Sequence, residues 1–114
     1  MLRLVISNQR GGVAKTTTTA TLARYLADIG KRVLIIDTDP QGSVSVVLGL
    51  KTEGRSLHNF IIKNHAFKDC LVAAHERIDV LPSNRETVQT ETIFMGHTAR
   101  ELTFQSVAPG AVFE

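Results

Sequence analysis

Ser7-Asn8-Gln9-Arg10-Gly11-Gly12-Val13-Ala14-Lys15-Thr16-Thr17-Thr18-Thr19 is the stretch from which the rest of this 114-residue chain can be read. It follows the apolar run Leu2-Arg3-Leu4-Val5-Ile6, which predicts a buried strand. It leads into Ala20-Thr21-Leu22-Ala23-Arg24-Tyr25-Leu26-Ala27, which predicts a helix. A glycine-bearing turn from a strand into a helix that opens with Lys-Thr has the make-up of a phosphate cradle. Backbone N–H groups at a helix start have no intrahelical acceptor and the helix dipole places partial positive charge there, so an anion satisfies both. Gly11 and Gly12 let the backbone curl until successive N–H groups point inward. Lys15 then reaches the β- and γ-phosphates, and the Thr16 hydroxyl sits on Mg²⁺. The strict pattern G-x-x-x-x-G-K-[ST] fails at Gln9 and Ala14, where its outer glycines belong. The competing reading is an ordinary glycine-rich turn with an exposed lysine.

A second apolar run, Arg32-Val33-Leu34-Ile35-Ile36, follows the helix after Gly30 and ends in Asp37-Thr38-Asp39-Pro40-Gln41-Gly42-Ser43. Two strands joined by one helix make a right-handed crossover, which predicts that they lie parallel and side by side. The end of the second strand then arrives at the same edge as the glycine-bearing turn, the edge where open α/β sheets bind ligands. Asp37 and Asp39 are delivered to a site already expected to hold phosphate and magnesium. The bland alternative is that Asp39, before Pro40, caps the next helix.

The spacing Arg10-Gly11-Gly12-Val13-Ala14-Lys15-Thr16-Thr17 resembles the deviant phosphate loop K-G-G-x-x-K-T-T of the ParA/MinD family of P-loop ATPases. Asp37-Thr38-Asp39-Pro40-Gln41-Gly42 is similar to that family's switch I segment. The resemblance covers residues 2 to about 84 and lies closest to the ParA partitioning branch. It implies a three-layer α/β P-loop fold with a mostly parallel sheet, of which this chain carries the N-terminal half. It also implies an Mg-ATP-binding ATPase serving plasmid or chromosome partitioning through an ATP-dependent homodimer. On the residues, it implies that Arg10, Gly11, Gly12, Val13, Ala14, Lys15, Thr16 and Thr17 bind the nucleotide. Thr16, Asp37 and Asp39 stand at the metal, and Asp39 orients or deprotonates the attacking water with Lys15 and Arg10 as catalytic partners. Phosphoryl transfer asks for the same things: a positioned water and neutralised oxygens rather than covalent chemistry.

Composition sets wide bounds. One small domain with 43% hydrophobic and 21% charged residues is ordinary for a globular protein. A net charge of +2 is too mild to argue for nucleic acid. The one cysteine, Cys70, excludes an internal disulfide and fits a reducing compartment. Polar residues from Asn8 interrupt the apolar start early, so a signal peptide or membrane span is not expected. These features lead to a cytoplasmic protein.

Along the chain, the helix expected over residues 16–29 carries Leu22, Leu26 and Ile29 toward the sheet with Ala23 and Ala27 beside them, leaving Arg24, Asp28 and Lys31 in water. Thr18 and Thr19 are assigned to packing. Residues 43–48 alternate in polarity but are read as a short helix ended by Gly49. Ser56 caps another over residues 57–62. His65, Cys70 and His75 match no zinc spacing and are read as surface histidines and a packed cysteine. Residues 78–84 predict a third strand ending in Leu81-Pro82-Ser83-Asn84, similar to a family strand that also reaches the nucleotide edge. A helical tail over 85–107 follows in the same domain, irregular and broken at Gly96.

Three departures from the family stand out. The nucleotide hydrolases it resembles need a further strand ending in an acidic residue, the Walker B carboxylate. No aspartate occurs after Asp79, the last residue is Glu114, and residues 106–114 match no expected segment. The expectation is therefore a truncated product, a fragment or a decayed gene, with an open strand edge. The runner-up function is a non-catalytic nucleotide-binding remnant or a partner of a full-length homologue. The family's DNA-binding surface and its site for a partner partition protein have no counterpart here, and no terminal basic amphipathic helix suggests membrane attachment. Second, Arg10 replaces a lysine that reaches across the family's dimer. It keeps the charge and can act like an arginine finger. Third, Ala14 would add strain on the order of 1–2 kcal/mol if its position requires positive φ.

Overall fold

The computed structural model describes residues 4–6, 13–88 and 111–113. Strand β1 (Leu4–Val5) is followed by helix α1 (Val13–Asp28), strand β2 (Val33–Ile36) and two short helices, α2 (Ser43–Val47) and α3 (Leu57–Ile61). A 3₁₀ turn (Phe67–Cys70) leads to strands β3 (Val72–His75) and β4 (Ile78–Leu81), and β5 is Ala111–Phe113. α1 opens three residues earlier than the sequence spacing suggests, so Lys15 and Thr16 lie in its first turn. It closes on Gly30 at φ 89°, whose N–H reaches Ala27 O at 3.0 Å while the Lys31 N–H reaches Leu26 O at 2.9 Å. Only glycine takes that left-handed turn without strain, and the two bonds satisfy carbonyls the helix end would otherwise leave bare. Ser56 caps α3 as expected, its side chain accepting from the Asn59 N–H.

The sheet order is β1-β5-β2-β4-β3. β1, β5, β2 and β4 run parallel, and β3 pairs antiparallel with β4. Two expectations need correction. β1 and β2 are parallel but not neighbours, because β5 lies between them and hydrogen-bonds to both. Residues 106–114, which match no expected segment, contribute this β5. Three apolar residues beside a Pro-Gly pair carry too little periodicity to announce a strand. β3 was likewise unannounced: its antiparallel return folds residues 72–75 against β4 through a tight turn at Glu76 and Arg77.

Alternate residues of the strands face opposite layers. Val33, Ile35, Ile78 and Val80 pack with Ala23 and Ala27 of α1 and Val44 of α2. Ile36 and Leu81 pack on the other side with Leu57 of α3 and Cys70, flanked by Phe60 and Phe67 in an edge-to-face contact at 5.1 Å. This is the three-layer α/β arrangement, with both sheet faces covered as parallel strands require. The apolar stripe of α1 ends earlier than expected: Ala23, Ala27 and Leu26 pack on the core, while Ile29, past the end of the helix, is 53% exposed. Thr19 is buried and back-bonds to Lys15 O, whereas Thr18 is exposed and bonds Ala14 O, so only Thr19 packs. The helix expected over residues 85–107 lies almost wholly outside the described residues.

Candidate functional site

The register aligns the strand ends. Val5 and Ile36 both pair with Phe113, and Ile36 pairs with Leu81, so four parallel strands finish at one level. The turns that follow β2 and β4 therefore share one edge with the start of α1. β2 is extended by one further bond, from the Asp37 N–H to Leu81 O at 3.1 Å.

From opposite ends of a crossover, Lys15 and Asp39 meet: Lys15 Nζ stands 3.3 Å from Asp39 Oδ2, with the two side chains 12% and 21% exposed. Partial burial strengthens such a pair relative to one in open water. The other carboxylate oxygen, Oδ1, accepts the Gln41 N–H at 3.0 Å. Asp37 is fully buried and its Oδ1 accepts the Asp39 N–H at 2.9 Å. Each aspartate thus holds the backbone two residues ahead, the Asx-turn habit of this side chain, and the pair shapes the segment it occupies. Capping does not account for Asp39, because the N-cap of α2 is Gly42 and no side chain caps that helix.

Thr16 is 2% exposed, in the first turn of α1 beside Lys15, while Thr17 is exposed. Val13 and Ala14 open the helix. Ala14 is helical, and among the described residues only Asn64 is a non-glycine with positive φ, so the strain considered for alanine there does not arise. Arg10, Gly11 and Gly12 lie outside the described residues. A helix start, a lysine, a buried threonine hydroxyl and a buried carboxylate form the donor set of a magnesium-bound phosphate chain, and the residues present fit that group.

The sequence reading brought Leu81-Pro82-Ser83-Asn84 to this edge but not its structure. Ser83 and Thr87 are buried, and their hydroxyls hydrogen-bond at 2.5 Å. The Asn84 side chain accepts the Glu86 N–H at 3.0 Å. α3 grips the same turn twice, through the Leu57 N–H to Pro82 O at 2.8 Å and through His58 Nε2, 3.1 Å from a Glu86 carboxylate oxygen. The signal was there in Ser83-Asn84, a pair that favours side-chain-to-backbone turns.

A family model described as an AAA domain matches residues 1–108. Chromosome-partitioning ATPase Soj of Thermus thermophilus is 52% identical over 56 residues, covering 49% of this chain and 22% of that protein. Chromosome partitioning protein ParA of Caulobacter vibrioides is 41% identical over 100 residues, covering 85% of this chain and 37% of that protein. Among solved structures, cobyrinic acid a,c-diamide synthase of Mycobacterium smegmatis, bound to an ATP analogue and magnesium, superposes with TM-score 0.79 at 31% identity. It covers 97% of this chain and 49% of that one. A plasmid partition protein of Borrelia burgdorferi shares the fold at TM-score 0.79 and 19% identity, covering 97% of this chain and 54% of that one. The chain thus spans well under half the length of these two curated relatives. Among the described residues no helix is long and apolar enough to cross a membrane.

Proposed function

This chain belongs to the ParA/MinD family of P-loop ATPases, and from that premise we propose that it binds Mg-ATP at the carboxyl edge of its sheet and hydrolyses it in plasmid or chromosome partitioning. The observation that carries the reading is the meeting of Lys15 and Asp39 at 3.3 Å from two separate motifs. Magnesium-bound ATP supplies a γ-phosphoryl group whose charge the metal shares. Lys15 neutralises the β- and γ-oxygens, and the N–H groups of the first turn of α1 take the anion that the helix start favours. Thr16 and Asp37 hold the metal and its waters, and Asp37 also fixes the Asp39 backbone. Asp39 orients the attacking water and accepts its proton, on a carboxylate already aimed by the Gln41 N–H. Arg10 acts on the partner's phosphates in a cytoplasmic, ATP-dependent homodimer.

Calorimetric titration of the full chain with Mg-ATP is expected to give binding heat that Lys15→Ala abolishes. Equal heat from both proteins, or none from either, overturns the reading. Because the chain spans so little of its relatives, a second reading stands beside the first: nucleotide binding without turnover. Phosphate release separates them. Turnover that Asp39→Ala removes supports the hydrolase, and binding with no turnover in either protein supports the remnant.

A further inference from the structure

We infer that Gly42 is a positioning residue whose missing side chain lets the segment 37–42 lie against the Ser83 carbonyl, a contact that sets where Asp39 stands relative to Lys15. The inference rests on the nucleotide reading above for its catalytic meaning, but its geometry can be tested without it.

Gly42 is buried, at φ 63° and ψ 29°. A Cβ on it would come within 2.6 Å of Ser83 O and 3.5 Å of the carbonyl carbon behind it. That oxygen belongs to backbone with little room to retreat. Pro82 before it is bonded to α3, and the Ser83 side chain is bonded to Thr87, itself fully buried. From Gly42 the strain would pass directly to the site. The Gly42 N–H donates to Asp39 O at 3.0 Å, and the neighbouring Gln41 N–H donates to the Asp39 carboxylate. Moving residue 42 therefore moves the backbone and the carboxylate of the same aspartate. Gly49 is the internal comparison: it has nearly the same φ, 66°, and nothing within 4 Å of an added Cβ. Conformational permissiveness alone makes both positions suit glycine; close approach distinguishes Gly42.

The test uses the full chain with Gly42→Ala, Gly42→Asn and Gly49→Ala. Asparagine tolerates the left-handed conformation but still carries the Cβ, so it isolates the contact with Ser83. In ¹⁵N spectra, both residue-42 variants are expected to shift the Asp39 and Gln41 amides, while Gly49→Ala leaves them in place. Turnover of Mg-ATP is expected to fall roughly ten- to a hundredfold in the residue-42 variants. Nucleotide affinity should stay within about threefold, the pattern of a misplaced reacting group rather than a lost ligand contact. Wild-type amide positions in Gly42→Asn, or equal shifts in Gly49→Ala, overturn the inference. If both residue-42 variants fail to fold by circular dichroism, Thr87→Val, which releases Ser83 from behind, decides: unshifted Asp39 and Gln41 amides sink the inference. A wild type that binds no nucleotide removes the functional reading alone, since the amide shifts still decide the geometry.

Discussion

At the carboxyl edge of the sheet the turns bury their polar groups, with Asp37 at 0%, Ser83 at 5% and Thr87 at 0% exposure, each tied into backbone or side-chain bonds. At the opposite edge Gly30, Lys31, Arg32, Glu76 and Arg77 all stand exposed, joined across the two turns by Arg77, whose guanidinium donates to Gly30 O and whose own carbonyl accepts from Val33. Burying a hydroxyl or carboxylate is unfavourable unless it is fully bonded. The asymmetry separates turns that merely close a chain from turns that hold side chains in place, and it falls where open α/β sheets take their ligands.

The sharpest challenge to that contrast is Asp39→Ala. Loss of this carboxylate is expected to lower Mg-ATP turnover by a factor on the order of 10²–10³, measured as phosphate release, whereas Arg77→Ala at the far edge leaves it within about twofold. Comparable losses from both would erase the distinction. Next comes Thr87→Val, which keeps the shape but strands the buried Ser83 hydroxyl. It should cost about 1–3 kcal/mol in urea unfolding. Arg77→Ala should cost less than about 0.5 kcal/mol in the same assay, as an exposed substitution. A smaller effect concerns neither edge. Burial, partly offset by a backbone hydrogen bond from Ser56 and reinforced by the Asp69 charge, holds the Cys70 thiol above its ordinary value of 9.0. The unfolded chain then gives up this proton first as pH rises, so stability declines through and above that value. Cys70→Ala should show a shallower alkaline decline in thermal melts at pH 8 and pH 10.

What the sequence made legible follows from how locally each feature is encoded. Residues 33–36 and 78–81 are continuous apolar runs bounded by turn residues, and both are strands. Ser56 and Gly30 announced their helix ends through side-chain and backbone chemistry that acts within a few residues. Asp37 and Asp39 could be assigned to the edge because the handedness of a crossover is a local consequence of strand twist. The unread parts are set by distant residues. Neither Ala111-Val112-Phe113 nor Val72-Ala73-Ala74-His75 has enough alternation to declare itself, and each becomes a strand because a neighbouring strand offers it a ladder. The approach of Gly42 to Ser83 is tertiary in the same sense: glycine after Pro-Gln reads as a turn, and nothing nearby in the chain says that a carbonyl waits behind it. Ile29 was misassigned because helical spacing alone cannot say where a contact stripe ends, and here the helix stops at Asp28 with Ile29 exposed just beyond it.

The insertion of β5 between the first two strands of the chain also has a kinetic side. Because β1 reaches β2 only through residues 111–113, its ladder depends on residues far along the chain, as in the pairing of Leu4 with Val112. Such pairing between sequence-distant segments slows folding. Assembly is therefore expected to begin around β2, β4 and α1, with β5 then docking on the free edge of β2 and β1 on β5.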